Sequence, residues 1–297
     1  MDTLSVIIPV YNAEKFLHTL FKCLDKNELN QGDEILLIDN GSSDSSKSIC
    51  LNQVEKNPDI YKYYFFAEKA GSYSTRNYAL EIAKGDILVF TDSDCMPDAN
   101  WLSSIRNNIK QGIVLAGEIE IEIAHNGLWE NFDAIAHLNS EKNAANNCVA
   151  TANMAVYKKD FFEVGKFEER FSGGDYEWSQ RARKKGKKIQ YNPQIHIFHP
   201  SRKTFKQILQ KEQRIAYGAG MHHKLHSGRE ISLIIKYFLK FFKIDTNFRY
   251  SLELKKRGFK SKELFKFNIC FCKIRREQLK FARAGFRRED VRKLAIK

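Results

Sequence analysis

Short apolar runs alternate with amphipathic stretches along the first third of the chain. Ser5-Val6-Ile7-Ile8-Pro9-Val10 reads as a buried strand that Pro9 ends, because proline has no N–H to give a ladder. Phe16, Leu17, Leu20 and Leu24 then recur at helical spacing, and Ile35–Ile38 forms a second strand. Ser43-Asp44 caps a helix that runs toward Val54, and Tyr61–Phe66 is rich in strand formers. Thr75 to Ala83 predicts a helix, Ile87–Phe90 a strand buried on both faces, and Trp101–Ile109 a further helix. This strand–helix alternation predicts a parallel sheet with right-handed crossovers. From Val114 to Ile123 apolar and polar residues alternate with period two, so one face of that strand should be solvated. Residues 125–149 show no clear period and are expected to be a loop with helical pieces near an acceptor site.

With 297 residues, 43% of them hydrophobic, the chain can bury a substantial core in one or two domains. Met1-Asp2-Thr3 runs directly into the first strand, so no secretory leader is expected. The six cysteines are scattered without a Cys-x-x-Cys pair, which fits free thiols in a reducing cytosol. Charge is distributed unevenly. Residues 201–297 hold 27 Lys and Arg against 8 Asp and Glu, a net of +19, whereas residues 1–200 carry a net of −6. Within the basic part, Ile231 to Ile244 places Lys236, Lys240 and Lys243 on one helix face amid aliphatic and aromatic residues. That run is too short and too charged to span a bilayer, which needs about 20 apolar residues. It suits a helix lying on an anionic leaflet, or one docked on the protein with its lysines outward. Nucleic acid is the weaker partner for this tail, since no helix-turn-helix, RNP or zinc motif accompanies it.

Two acidic stretches carry the candidate chemistry. In Phe90-Thr91-Asp92-Ser93-Asp94 the carboxylates follow a buried strand, where open α/β sheets bind their ligands. Hard oxygen ligands there suit Mg²⁺ or Mn²⁺ on a diphosphate. In Gly173-Gly174-Asp175-Tyr176-Glu177 a second carboxylate sits on a Gly-rich turn, free to act as a base. Three more segments precede or join them: Pro9-Val10-Tyr11-Asn12, Asp39-Asn40-Gly41-Ser42-Ser43-Asp44 and Gly71-Ser72-Tyr73-Ser74-Thr75-Arg76-Asn77. In this order and spacing, over roughly residues 3–215, the chain resembles the family 2 glycosyltransferases, inverting enzymes of the GT-A fold.

The resemblance implies a role for each segment. Pro9, Val10 and Tyr11 would line the nucleotide pocket, and Asp39 would accept a hydrogen bond from uracil, although a helix-cap role is open to it as well. Asn40 stands where a second Asp is common. Gly71 and Ser72 would allow close backbone approach, and Arg76 would order the donor site, with Thr75 replacing the usual Ala and Lys69 standing where Asn is frequent. Asp92, with Ser93 beside it, would position the ribose or a metal-bound water, while Asp94 would ligate the cation directly. His199, in His196-Ile197-Phe198-His199-Pro200, would be a further metal ligand, unless it is an ordinary core or surface histidine. Asp175 would be the base, or the N-cap of the helix that follows. Glu177 would support packing or acceptor binding.

The expected protein is α/β of the GT-A type, with a mostly parallel central sheet flanked by helices and a mainly helical C-terminal extension. Its expected domains are a catalytic part over 1–215, with nucleotide (1–100) and acceptor (101–215) halves, and a basic region over 216–297. The expected activity is inverting transfer from a nucleoside-diphosphate donor, UDP-sugar by preference, to a glycan or lipid-linked glycan of a surface polysaccharide. Mn²⁺ or Mg²⁺ would assist, in a cytoplasmic protein held peripherally on the inner membrane face. The rival is a non-catalytic nucleotide-sugar-binding or scaffold protein on the same fold.

Overall fold

The computed structural model describes residues 2–241 and 244–288, apart from the side chains of residues 226–227, 240–241 and 244–246. Lys243 and the side chain of Lys240 therefore lie outside the described residues. The chain divides into two compact units, one of residues 1–121, 138–169 and 174–200, the other of 122–137, 170–173 and 201–297.

The first unit is built on one sheet. Its strands are β1 (Leu4–Val10), β2 (Glu34–Asp39), β3 (Tyr61–Phe65), β4 (Ile87–Thr91), β5 (Met96–Pro97), β6 (Ile113–Glu122), β7 (Asn153–Tyr157) and β8 (Lys188–Pro200), ordered β3-β2-β1-β4-β7-β6-β8-β5. The helices between them are α1 (Glu14–Leu24), α2 (Ser46–Lys56), α3 (Ser72–Ile82) and α4 (Trp101–Asn108), then α6 (Ser140–Ala145), α7 (Lys158–Val164) and α8 (Gly174–Lys184), with α5 (Leu128–Ala136) belonging to the second unit. The β3-β2-β1-β4 half is parallel, and β7 pairs antiparallel with both β4 and β6. The mostly parallel GT-A-type sheet expected from the sequence is thus what forms.

Both faces of the parallel half are covered, which is why its strands read as continuous apolar runs. Val6, Ile8, Val10, Leu37 and Val89 face one core with α1 and α4. Ile7, Leu36, Ile38, Leu88 and Phe90 face the other, with Phe161 and Trp178. Three details depart from the sequence reading. The buried stripe of α1 is Leu17, Leu20, Phe21 and Leu24, and Phe16 turns outward. Strand β1 continues past Pro9 to Val10, because its ladder with β4 stops at Ile7 and no donor is missed on that side. Strand β6 shows its solvated face only from Glu118 onward; before that, Leu115 lies in one hydrophobic core and Val114 and Ala116 in the other.

The second unit is helical. It joins α5 to α9 (Phe205–Ser227), α10 (Glu230–Phe241), α11 (Ile244–Lys256) and α12 (Ser261–Arg287). Helices α9 and α12 meet at glycines: a Cβ on Gly220 would lie 1.9 Å from the Ala282 carbonyl oxygen, and one on Gly285 2.0 Å from that of Tyr217. Any side chain there would force the backbones apart. A second contact is aromatic, with Trp129 and Phe132 of α5 packed on Phe267 and Phe271 of α12. No helix among the described residues is long and apolar enough to cross a membrane.

A buried ionic cluster ties α5 to α9. Asp133, fully buried, accepts from His137 Nδ1 at 2.6 Å, from the Arg202 backbone N–H at 2.9 Å and from its guanidinium at 3.1 Å. His137 Nε2 faces Glu212 at 2.7 Å. Lys211 Nζ lies 3.5 Å from Asp133 without a hydrogen-bond partner. Burial, followed by the charge of Arg202, pushes the Lys211 pKa down to about 7, with attraction to Asp133 offsetting part of the shift. Above about pH 7 the unfolded chain therefore binds more protons at this site than the folded one, so its cost to stability is full below that pH and fades toward the ordinary lysine value of about 10.4. Lys211→Met should raise the melting temperature at about pH 7, and the gain should shrink by about pH 9.5. Thermal melts of both proteins across that range check this; a destabilised variant at about pH 7 would show that the lysine is a net support.

Candidate active site

Every site residue proposed from the sequence lies in the first unit, and the first turn of α3 connects the two acidic stretches. Tyr73 and Arg76 are three residues apart on this helix, hence on one face. Arg76 is 2% exposed, and its Nη2 donates to Asp92 Oδ1 just beyond the end of β4. The Arg76 guanidinium carbon also lies 5.8 Å from the Tyr73 ring centroid. Tyr73, itself buried, donates its hydroxyl to Asp175 Oδ1 at 3.0 Å. Burial, then the charge of Asp175, holds the Tyr73 hydroxyl well above its ordinary pKa, so it remains a donor. Arg76 Nε is a buried donor without a partner, a feature common where a ligand completes a polar site.

Asp175 belongs to the first turn of α8. Its Oδ1 takes the Tyr73 hydroxyl and the adjacent Tyr176 N–H at 2.9 Å, and its carbonyl takes Ser179 Oγ at 2.7 Å. An N-cap side chain instead accepts from the second or third residue after it. The carboxylate is thus oriented by Tyr73 rather than spent on the helix end. Gly174 leaves room for that ring, since a Cβ there would sit 2.9 Å from it. Glu177 is occupied elsewhere: it clasps Arg181 through two bonds of 2.6 and 2.9 Å, and Arg181 holds the carbonyls of Val164 and Lys166.

On the other side of Asp92, the turn 92–95 leads into β5, whose register with β8 pairs Met96 with Phe198. His199 is thereby drawn beside Asp94, its Nε2 3.7 Å from Oδ2. Its Nδ1 lies 2.9 Å from the Pro200 carbonyl oxygen. A carbonyl only accepts, so Nδ1 carries the hydrogen, and Nε2 is the ring nitrogen turned toward Asp94. Two ligands each about 2.1 Å from one ion stand roughly 3–4 Å apart, so this pair fits a divalent cation. Asp92, Asp94 and Cys95 also group their side-chain atoms within 4.8 Å. Cys95 is nevertheless fully buried, and burial together with the two aspartates pushes its thiol far above the ordinary range, which leaves the oxygens and the imidazole as donors. His196 alternates to the opposite strand face, where it pairs with Asp98 at 2.8 Å and Glu120 at 3.2 Å.

The nucleotide-side segments are joined by backbone and amide contacts. Asn40 N–H donates to the Val10 carbonyl at 2.9 Å, which holds Pro9 and Val10 against the end of β2, and Tyr11 extends into solvent. Asp39 is 1% exposed, with Ser42 N–H on Oδ1 at 2.8 Å and the Tyr63 hydroxyl on Oδ2 at 2.9 Å. A base reaching it would have to use a remaining lone pair of one oxygen. Asn40 acts as a clamp: its Nδ2 donates to the carbonyls of Phe66 (2.7 Å) and Lys69 (2.8 Å), and its Oδ1 accepts from Gly71 N–H (2.8 Å). Gly71, at φ 122°, then turns the chain into α3 in a conformation that only glycine adopts readily, with Ser72 next to it in solvent. Thr75 bonds back to the Gly71 carbonyl at 2.8 Å, and Lys69 pairs with Glu169 at 3.1 Å. Ser93 is half-buried within the 92–95 turn.

Tyr73 and the clamp function of Asn40 went unremarked in the sequence reading. The signal for Tyr73 was an aromatic one helical turn before Arg76; that for Asn40 was an amide in place of a carboxylate, at a position needing two donors. Asn40→Asp keeps the acceptor for Gly71 but sets a carboxylate against two carbonyls. It should cost roughly 1 kcal/mol and speed proteolysis within residues 66–71. Unchanged melting temperature and cleavage rate would remove the clamp.

The glycosyl transferase family 2 profile matches residues 5–223. Glycosyltransferase AglE of Haloferax volcanii is 32% identical over 220 residues, 72% of this chain and 72% of its own. A Campylobacter jejuni protein named GalNAc(5)-diNAcBac-PP-undecaprenol beta-1,3-glucosyltransferase is 26% identical over 185 residues, 59% of this chain and 58% of its own. Among solved structures, the Pyrobaculum calidifontis mannosyltransferase PcManGT, in complex with GDP-Man and Mn²⁺, superposes with a TM-score of 0.58 at 14% identity, over 95% of this chain and 73% of that one. The likeness extends through the sheet, the acidic turn after β4 and the helix that bears Asp175, and the chain belongs to glycosyl transferase family 2 as a glycosyltransferase of GT-A fold.

Proposed function

We propose that the protein transfers a sugar, with inversion, from a nucleoside-diphosphate donor to a glycan or lipid-linked glycan. The observation that carries this reading is the first turn of α3, which touches the acidic turn through Arg76 and the candidate base through Tyr73. Inversion requires the acceptor hydroxyl to attack opposite the leaving diphosphate, so donor site and base must be held in one frame. Asp175 takes the proton from that hydroxyl, and Tyr73 keeps the carboxylate aimed. Arg76 orients Asp92 beside the donor, and its free Nε is available to a donor oxygen. Asp94 and His199 would hold Mn²⁺ or Mg²⁺, which would neutralise the departing diphosphate. Pro9, Val10, Tyr11 and Asp39 face the base, with uracil the one we favour.

A lipid-linked acceptor is supported by the similarity to the Campylobacter protein and by the basic C-terminal region, which would keep the enzyme on the inner face of an anionic membrane. Lys236 is exposed on α10 as such a contact requires.

A donor panel with UDP-sugars and GDP-mannose, each with and without Mn²⁺, tests the function directly. Asp94→Ala and His199→Ala should each lower donor turnover at least about tenfold and weaken Mn²⁺ binding. Full turnover in excess EDTA would end the metal assignment. Asp175→Asn should lower transfer by about 10²–10⁴ while leaving melting temperature and donor affinity in place, and Tyr73→Phe should fall between it and wild type. If Asp175→Asn instead loses stability and transfers normally per folded molecule, the carboxylate serves α8 alone.

A further inference from the structure

The second unit leaves large apolar side chains in solvent at helical spacing. Along α10, Ile231, Ile235, Phe238 and Leu239 are 67, 52, 57 and 58% exposed, while Leu233 and Tyr237 pack inward. Separations of four, three and one put the exposed four on one face. Helix α10 is therefore apolar twice over, with one side docked and the other open. Helix α12 repeats the pattern, with Phe265, Ile269 and Cys272 exposed in sequence along one face. A helix needs one apolar face to pack; a second, exposed one marks a contact surface.

Between α10 and α12 lies a groove of about 540 Å³, within the range of small-molecule sites. Tyr237, Phe238 and Leu279 form apolar walls, and Cys272 stands at its edge. Lys273, Arg275 and Arg276 supply its charge, and no carboxylate is among the described lining residues. Arg275 is half-buried, its guanidinium 4.7 Å from the Phe271 ring centroid and bonded to Gln278 at 3.2 Å. Arg276 makes a loose contact with Glu277, at 3.8 Å. Three cations on an apolar wall, beside an exposed apolar helix face, complement an anion that carries a hydrocarbon chain. An inorganic anion would have no use for the walls, and a neutral lipid none for the arginines.

We propose that this groove binds the phosphate-bearing end of a single-chain lipid phosphate, with the open face of α10 resting in the leaflet that contains it. The proposal rests on the reading of the acceptor as lipid-linked, and it locates where the carrier portion docks. It differs from general attraction to an anionic membrane because it requires phosphate and chain on one molecule.

Cys272 offers a reporter, since it is exposed at the groove while Cys23, Cys148 and Cys270 are half-buried and Cys50 and Cys95 buried. Its alkylation by N-ethylmaleimide, followed by peptide mass spectrometry on the full chain, should slow about tenfold with saturating farnesyl phosphate. Farnesol alone and inorganic phosphate alone should leave it unchanged, and vesicles containing undecaprenyl phosphate should protect more than phosphatidylglycerol vesicles matched to them in charge. Arg275→Gln with Arg276→Gln should abolish the protection while hydrolysis of a soluble nucleotide-sugar continues at the wild-type rate. If that pair does not fold, Lys273→Gln with Arg276→Gln, both at exposed positions, gives the same readout. Equal protection by farnesol or by phosphatidylglycerol, no protection at all, or protection that survives these variants would overturn the site. Protection by farnesyl phosphate in a protein that hydrolyses no donor would uphold the groove and reject the proposed transfer, so the two failures are distinct.

Discussion

The contact between Arg76 and Asp92 organises the first unit. A guanidinium that is 2% exposed needs a carboxylate, and the nearest is one that β4 delivers at its end. Because Arg76 is bound there, the start of α3 lies against the acidic turn, and Tyr73, on the same helix face, reaches Asp175. Asn40 fixes the other end of this arrangement by holding the carbonyls of Phe66 and Lys69 and the N–H of Gly71. Removing the arginine would leave Asp92 without its counter-charge and α3 without its anchor. Removing Asp92 would bury a cation alone, the costlier of the two changes.

Much of this order follows from where strands end. Pairing of β1 with β4 and of β4 with β7 sets Asp92 just past the last ladder bonds, where backbone groups and side chains are free for a ligand. The short β5–β8 pair does the same for His199, and a one-residue slip would have offered Phe198 or Pro200 instead. The second unit obeys a different constraint. Its helices close on glycine contacts and aromatic packing, and its basic residues and exposed apolar rows remain outside that core. Its interior charges include the cluster around Asp133, where burial and ion pairing oppose one another.

The parallel half of the sheet was legible because strands buried on both faces leave an unbroken apolar signature, and Ile35–Ile38 and Ile87–Phe90 show it plainly. The acidic turn after β4 was legible for a related reason, since two carboxylates directly after such a run stand where open α/β sheets bind their ligands. Less legible were positions whose environment depends on partners far along the chain. Phe16 and Phe21 satisfy the helical period equally, and only the sheet beneath α1 selects Phe21. Val114 to Ala116 open a run that alternates only further on, and whether both their faces are covered depends on the two cores that enclose Leu115 and its neighbours.

By itself the sequence determined the strand–helix alternation, the order of the motifs and the segregation of positive charge into the last hundred residues, because periodicity and composition are local properties. Tertiary structure alone decided that Tyr73 meets Asp175 across 102 positions, that His199 rather than His196 meets Asp94, and that α10 keeps a second apolar face in solvent. Each of these depends on strand register or helix docking, which sum many weak contacts between distant segments. No short stretch of sequence contains that sum.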